Sequence, residues 1–268
     1  MFSAIRLKTE REIEIIKESS LIVGKTLAEV AKLIAPGVSS KTLDKVAEEY
    51  IRDHGAVPSF KGYNGFPSTL CLSVNDVVVH GIPGEYELKD GDIISVDCGA
   101  KKNGFHADYA YTFCVGNVAE EIRKLCDRTK QALYIGIEKA KAGNRTGDIG
   151  FAIQSYVESY GYSVVRELTG HGIGRNLHEK PDVSNYGQKG NGYKIKRGMV
   201  FCIEPMINLG CKEIRIDKDK WTTRTFDGLP SAHYEHMVAI RENGTEIVST
   251  YKFIDEVLSN KENIKEKK

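Results

Sequence analysis

No stretch of the 268-residue chain approaches the roughly 18 consecutive apolar residues that a membrane-spanning helix requires. The opening segment, Met1 to Glu14, has no apolar core and soon turns charged, so no secretory signal is expected and the chain reads as cytoplasmic. Neither sign of charge is in excess. The 38 Lys and Arg residues and 37 Asp and Glu residues leave a net +1, which gives no general reason for a membrane or sequence-specific nucleic-acid partner. The six cysteines (Cys71, Cys98, Cys114, Cys126, Cys202 and Cys211) form no C-x-x-C pair. Free thiols are therefore expected, and a thiolate zinc site is not. Also missing are H-E-x-x-H, a P-loop, a dinucleotide fingerprint and a G-x-S-x-G elbow.

What is present fits a globular protein, because 41% hydrophobic and 28% charged residues suffice for a large core and argue against disorder. Thr9 with Glu12 is a capping-box pattern, and Ile13, Ile16, Ser20 and Val23 follow at helical spacing. Ser39 or Ser40 caps a second helix running to about Ile51 and ended by His54-Gly55. Asn117 with Glu120 repeats the capping pattern for a third helix, to about Ala142-Gly143. A fourth is expected from Thr146 to Tyr160, stopped by Gly161.

The pattern occurs twice. At an ungapped shift of 106, Leu43 falls on Ile149, Tyr50 on Tyr156 and Gly55 on Gly161. At a shift of 107, the segment from Leu88 to Asp97 falls on that from Ile195 to Glu204, making Asp97 and Glu204 equivalent acids that each end an apolar strand. Helices precede strands in each half, which predicts an α+β fold of two pseudo-symmetric halves, about 9–116 and 117–250. No linker interrupts them, so a single catalytic domain over 1–258 is expected. Residues 259–268 are charged and expected to fray.

The apolar strands carry acids that need partners. Asp92–Gly99 and Phe105–Phe113 read as two strands around a turn at Asn103-Gly104 or Lys102-Asn103. The first register sets Asp97 diagonal to Asp108 and the second sets them opposite; both leave the two carboxylates on one face. Buried together and unpaired they would be costly, and a cation between them resolves the repulsion. Met199–Ile207 reads as another strand, with Glu204, and Ser231–Ile240 as a third, with His233 and Glu235 on one face and His236 on the other. Gly170-His171-Gly172-Ile173-Gly174 is too rich in glycine for a helix interior and reads as a tight turn, echoed by His80-Gly81-Ile82. Four carboxylates and one imidazole make a mostly oxygen shell suited to Mn²⁺, Fe²⁺ or Co²⁺, with Zn²⁺ admissible. Five such ligands suit two ions about 3.5–4 Å apart, the arrangement of dinuclear hydrolases.

At this point the chain resembles a known family, the type I methionine aminopeptidases of the shorter bacterial form. The resemblance runs from about Thr9 to Tyr251 and rests chiefly on Gly170–His178 through Asn185-Tyr186, Ile203–Met206 and Tyr234–His236. It implies the pita-bread fold around a dinuclear site. The metal ligands would be Asp97, Asp108, His171, Glu204 and Glu235, with Asp108 and Glu235 bridging two divalent ions (Mn²⁺, Fe²⁺, Co²⁺ or Zn²⁺). It implies hydrolytic removal of the initiator methionine from nascent proteins with a small second residue, a metal-bridging hydroxide attacking the scissile carbonyl. Glu204 would be the acid/base, His178 the oxyanion donor and His80 a substrate-placing residue. Tyr63, Phe66, Cys71, Leu177 and Trp221 would form the methionine pocket. The nascent N-terminal peptide is the implied partner of a monomer, with the ribosome a candidate contact of the tail Lys261–Lys268. Leu168 and Leu177 depart from the aromatic or Met and the Phe usual in the family, which bears on pocket shape. Two rival readings are a proline-directed peptidase on the same fold and a non-catalytic peptide- or ribosome-binding relative.

Overall fold

The computed structural model describes residues 4–265 of the chain. Helix α1 spans Glu10–Leu33 and opens with the expected capping box: the Glu12 N–H donates to Thr9 Oγ1 at 3.3 Å and the Thr9 N–H to Glu12 Oε2 at 3.0 Å. Its buried stripe of Ile13, Ile16, Val23, Leu27 and Val30 packs on the strands that carry the first two acids. Helix α2 is Ser40–Asp53, capped by Ser39, whose hydroxyl accepts from the Thr42 N–H at 3.2 Å.

The three longest strands of the first half are β1 (Leu70–Val74), β2 (Ile93–Lys102) and β3 (Phe105–Cys114). In the β2–β3 ladder Asp97 faces Ala110 and Gly99 faces Asp108. The Asn103-Gly104 turn therefore sets the register, and Asp97 and Asp108 lie diagonally on one face. Gly104 supplies the positive φ this turn demands, at +82°.

Helix α3 (Glu120–Lys139) starts after Ala119, so Asn117 is not its cap and the helix ends short of Ala142. The Asn117 N–H is instead committed to Asp90 Oδ1 at 2.9 Å, which holds that residue in the preceding turn. Helix α4 is Thr146–Glu158. The second half continues through β4 (Gly170–Gly172), β5 (Glu179–Val183), β6 (Val200–Ile203), β7 (Met206–Asn208), β8 (Ser231–His233), β9 (His236–Arg241) and β10 (Gly244–Ile247). One sheet has the order β10-β9-β6-β4-β5; β7 and β8 belong to another.

The repeat is visible in backbone hydrogen bonds. Gly37 N–H to Leu88 O, Ser40 N–H to Tyr86 O and Lys41 N–H to Gly84 O recur as Gly143 to Ile195, Thr146 to Tyr193 and Gly147 to Asn191. Donors move by 106 residues and acceptors by 107.

Three expectations are corrected in this half. The strand expected over Met199–Ile207 is two, broken at Glu204-Pro205, where proline has no N–H for a ladder. The strand expected over Ser231–Ile240 breaks at Tyr234-Glu235, because the Glu235 N–H leaves its own sheet for Ala110 O in the first half, at 3.1 Å. The glycine-rich segment around His171 is not a tight turn but strand β4, between β5 and β6.

Its glycines serve close strand packing. A Cβ at Gly172 would lie 2.3 Å from Lys180 O, and one at Gly170 2.4 Å from Cys202 O. Gly172→Ala is expected to cost about 1–3 kcal/mol by overpacking, read as a lower urea midpoint.

Helix α5 spans Lys252–Lys265, so the part of the expected tail from Ser259 to Lys265 is helical. Lys261 Nζ donates to Ala31 O at 2.8 Å and Ile34 O at 3.0 Å, closing the carbonyl end of α1 and tying the segment down. The rest of the expected tail, 266–268, lies outside the described residues. Among the described residues no helix is long and apolar enough to cross a membrane.

Candidate active site

Five acids and bases from five places in the chain converge between the halves. Asp97 comes from the middle of β2, Asp108 from β3 and His171 from β4; Glu204 and Glu235 sit at the two strand breaks just described. Single ligand atoms of Asp97, Asp108 and Glu235 lie within 4.8 Å of one another. His171 Nε2 is 3.7 Å from Glu204 Oε1 and 3.9 Å from Asp108 Oδ2.

These groups fit a cation. One buried carboxylate oxygen on each of the four acids (Asp97 Oδ1, Asp108 Oδ1, Glu204 Oε1 and Glu235 Oε1) has no hydrogen-bond partner in the protein. Burial raises all four carboxyl pKa values, Asp97 to about 6 and the others well above the usual range, where repulsion among the acids adds to it. All four cannot ionise together at neutral pH without compensating positive charge.

The imidazole is prepared in the opposite sense. Burial, then the charge of His178, holds the His171 pKa down at about 3, so its ring is neutral. Its Nδ1 lies 3.0 Å from Gly172 O; an Nδ1–H donated there leaves the Nε2 lone pair aimed at the acids.

All twelve residues singled out from the sequence line one cavity of about 620 Å³. His178 Nδ1 is 2.8 Å from the Tyr63 hydroxyl, and its ring meets that of His171 edge-on at 4.2 Å. His80 adopts φ +58°, a left-handed conformation uncommon outside glycine, and its ring meets Trp221 edge-on at 6.3 Å. Phe66 approaches the same indole at 5.2 Å, and Cys71 pairs with Asp97 across the sheet. Leu177 is buried at the cavity wall.

Sequence reasoning gave no role to part of the lining, although it had placed His233 on the face of Glu235. Met206 and His233, facing each other across β7 and β8, both line the cavity, and His233 Nε2 is buried without a partner. Both share the alternation of an acid two residues away, a signal available in the sequence. Cys202, set aside as an ordinary thiol, lies with His171 and Glu235, ligand atoms within 4.8 Å, and its Sγ is 3.8 Å from Asp108 O. It too stands two residues from Glu204.

Comparison with known proteins agrees with this geometry. The family model "Metallopeptidase family M24" matches residues 14–242. The chain is 52% identical to the methionine aminopeptidase of Clostridium perfringens over 92% of its own length and 100% of that protein. It is 50% identical to methionine aminopeptidase 1 of Bacillus subtilis over 90% and 98%. The crystal structure of methionine aminopeptidase from Rickettsia prowazekii superposes with a TM-score of 0.91 at 39% identity, covering 92% of this chain and all of that one. Fold and site define a hydrolase of the pita-bread architecture that binds divalent metal. Within that class the chain belongs to metallopeptidase family M24, among the bacterial type I methionine aminopeptidases.

Proposed function

We propose that the chain removes the N-terminal methionine from nascent proteins whose second residue is small, as a cytoplasmic monomer that meets those peptides near the ribosome. The observation that carries this reading is the buried cluster of four acids with unpartnered oxygens around a neutral His171. Residues 1–258 act as a single catalytic domain, its halves 9–116 and 117–250 meeting at the cluster. Asp97, Asp108, His171, Glu204 and Glu235 would hold two divalent ions, drawn from Mn²⁺, Fe²⁺, Co²⁺ or Zn²⁺. Bound there, they supply an acidified water and Lewis-acid polarisation of a carbonyl.

The chain's own groups do the rest. The Glu204 carboxylate takes a proton from the attacking water and returns it to the leaving amine. His178, its Nδ1 engaged by Tyr63, presents Nε2 toward the developing oxyanion. His80, with a pKa held down at about 4 by burial and then by the charge of His178, stays neutral and places the scissile amide. Tyr63, Phe66, Cys71, Leu177 and Trp221 offer the apolar, polarisable wall that a thioether side chain requires.

The test is hydrolysis of Met-Ala-Ser, Leu-Ala-Ser and an Xaa-Pro dipeptide after loading each of the four ions in turn. Turnover confined to Met-Ala-Ser is expected. Cleavage of Xaa-Pro alone would favour a proline-directed peptidase, and no turnover with any ion would favour a binding protein.

A further inference from the structure

Resting on the reading of Glu235 as a metal ligand, we propose that Tyr251 is a positioning residue that clamps Glu235 through its backbone. Tyr251 precedes α5, follows Glu235 by 16 residues, and is 4% exposed. Its hydroxyl accepts from the Glu235 N–H at 3.1 Å and lies 2.8 Å from Glu235 O and 2.7 Å from Ala110 O. With one proton it donates to one of those carbonyls at a time. The Glu235 N–H also reaches Ala110 O, so a single phenol ties the strand break of the second half to β3, two residues beyond Asp108.

The ring is fixed as firmly as the hydroxyl. It stacks on His236 at 3.9 Å and 27°, meets Tyr111 edge-on at 4.9 Å, and has Lys130 Nζ 5.5 Å above it. His236 is itself held, by Ser249 Oγ at 2.6 Å from Nδ1 and the Tyr134 hydroxyl at 3.2 Å from Nε2. A strand break leaves a residue without its ladder partners, and at 235 the phenol takes their place. Because a ligand's carboxylate can aim no better than its backbone is fixed, the hydroxyl sets how well the site is preorganised. It also connects α5 to the cluster, since the Asp255 N–H bonds Tyr251 O at 2.9 Å.

Tyr251→Phe removes the hydroxyl and keeps the ring. The expected result by calorimetric titration with Mn²⁺ is about tenfold weaker binding, the scale of lost outer-shell contacts. The KM for Met-Ala-Ser should be unchanged, and kcat should recover at saturating Mn²⁺. In a Glu235→Ala background the same change should cost no further Mn²⁺ affinity, since its effect passes through that carboxylate. Thr26→Val serves as control, because it deletes a fully buried hydroxyl, bonded to Ile22 O at 2.8 Å within α1, away from the strand break. Unchanged Mn²⁺ affinity in Tyr251→Phe, an equal loss in the Glu235→Ala background, or an unfolded variant would overturn the clamp. If Glu235→Ala itself binds Mn²⁺ like the native protein, the ligand reading of Glu235 fails, and the clamp with it.

Discussion

Asp108→Asn is expected to lower kcat/KM on Met-Ala-Ser by at least about 10³-fold in metal-supplemented buffer, because several kcal/mol of metal-supplied stabilisation is lost. Asp108 is the central acid: one of its oxygens is 3.9 Å from His171, and it groups with both Asp97 and Glu235. The same change should raise the melting temperature of the chelated protein at pH 8. There it removes a carboxyl whose ionisation burial and the neighbouring acids oppose. Opposite signs for activity and metal-free stability distinguish a ligand from a structural residue, whose replacement would lower both. Kinetics paired with thermal scans after chelation would decide it.

The second large effect concerns pH. In the metal-free protein, Asp108, Glu204 and Glu235 have folded pKa values raised well above their unfolded ones, by burial first and by one another second. The folded state therefore binds more protons. The stability these groups contribute is fully present below their unfolded pKa and is lost as pH rises through the folded values. Buried histidines work the other way: His171 and His233 are depressed to about 3, but this stops contributing slope above the unfolded histidine value of 6.5. Between pH 6.5 and 8 the acids dominate. Each of these acids that keeps its proton in the folded state over this window lowers stability by about 1.4 kcal/mol per pH unit, about 3–6 °C in Tm. Chelated protein should melt progressively lower over this window, and Mn²⁺-loaded protein should not. A flat Tm in the chelated protein would mean that the acids are compensated by something other than metal.

Much of this could be read locally. The Thr9–Glu12 capping box, the β2–β3 hairpin and the shared face of Asp97 and Asp108 depend on neighbours within a few residues or on strand alternation. The 106–107 offset was legible because the repeat preserved the apolar spacing that binds each helix to its strand. Asn117 misled because a capping pattern competes with any other bond open to the same N–H, and Asp90 lies 27 residues away. The helix over 259–265 was not legible for a related reason: composition says nothing of the α1 carbonyls that Lys261 reaches.

The sequence by itself determined which side chains could bind a cation, that they sit in apolar strands, and that Asp97 and Asp108 share a face in either register open to their hairpin. Tertiary structure decided the rest of the site. Only the Glu235 N–H crossing to Ala110, the break at Pro205 and the strand conformation of the His171 segment bring acids from both halves within reach of one ion. The places that Cys202, Met206, His233 and Tyr251 take at the site were decided in the same way. Strand alternation tells which face a side chain takes, but which faces meet is set by pairing between segments a hundred residues apart, and no local pattern encodes that.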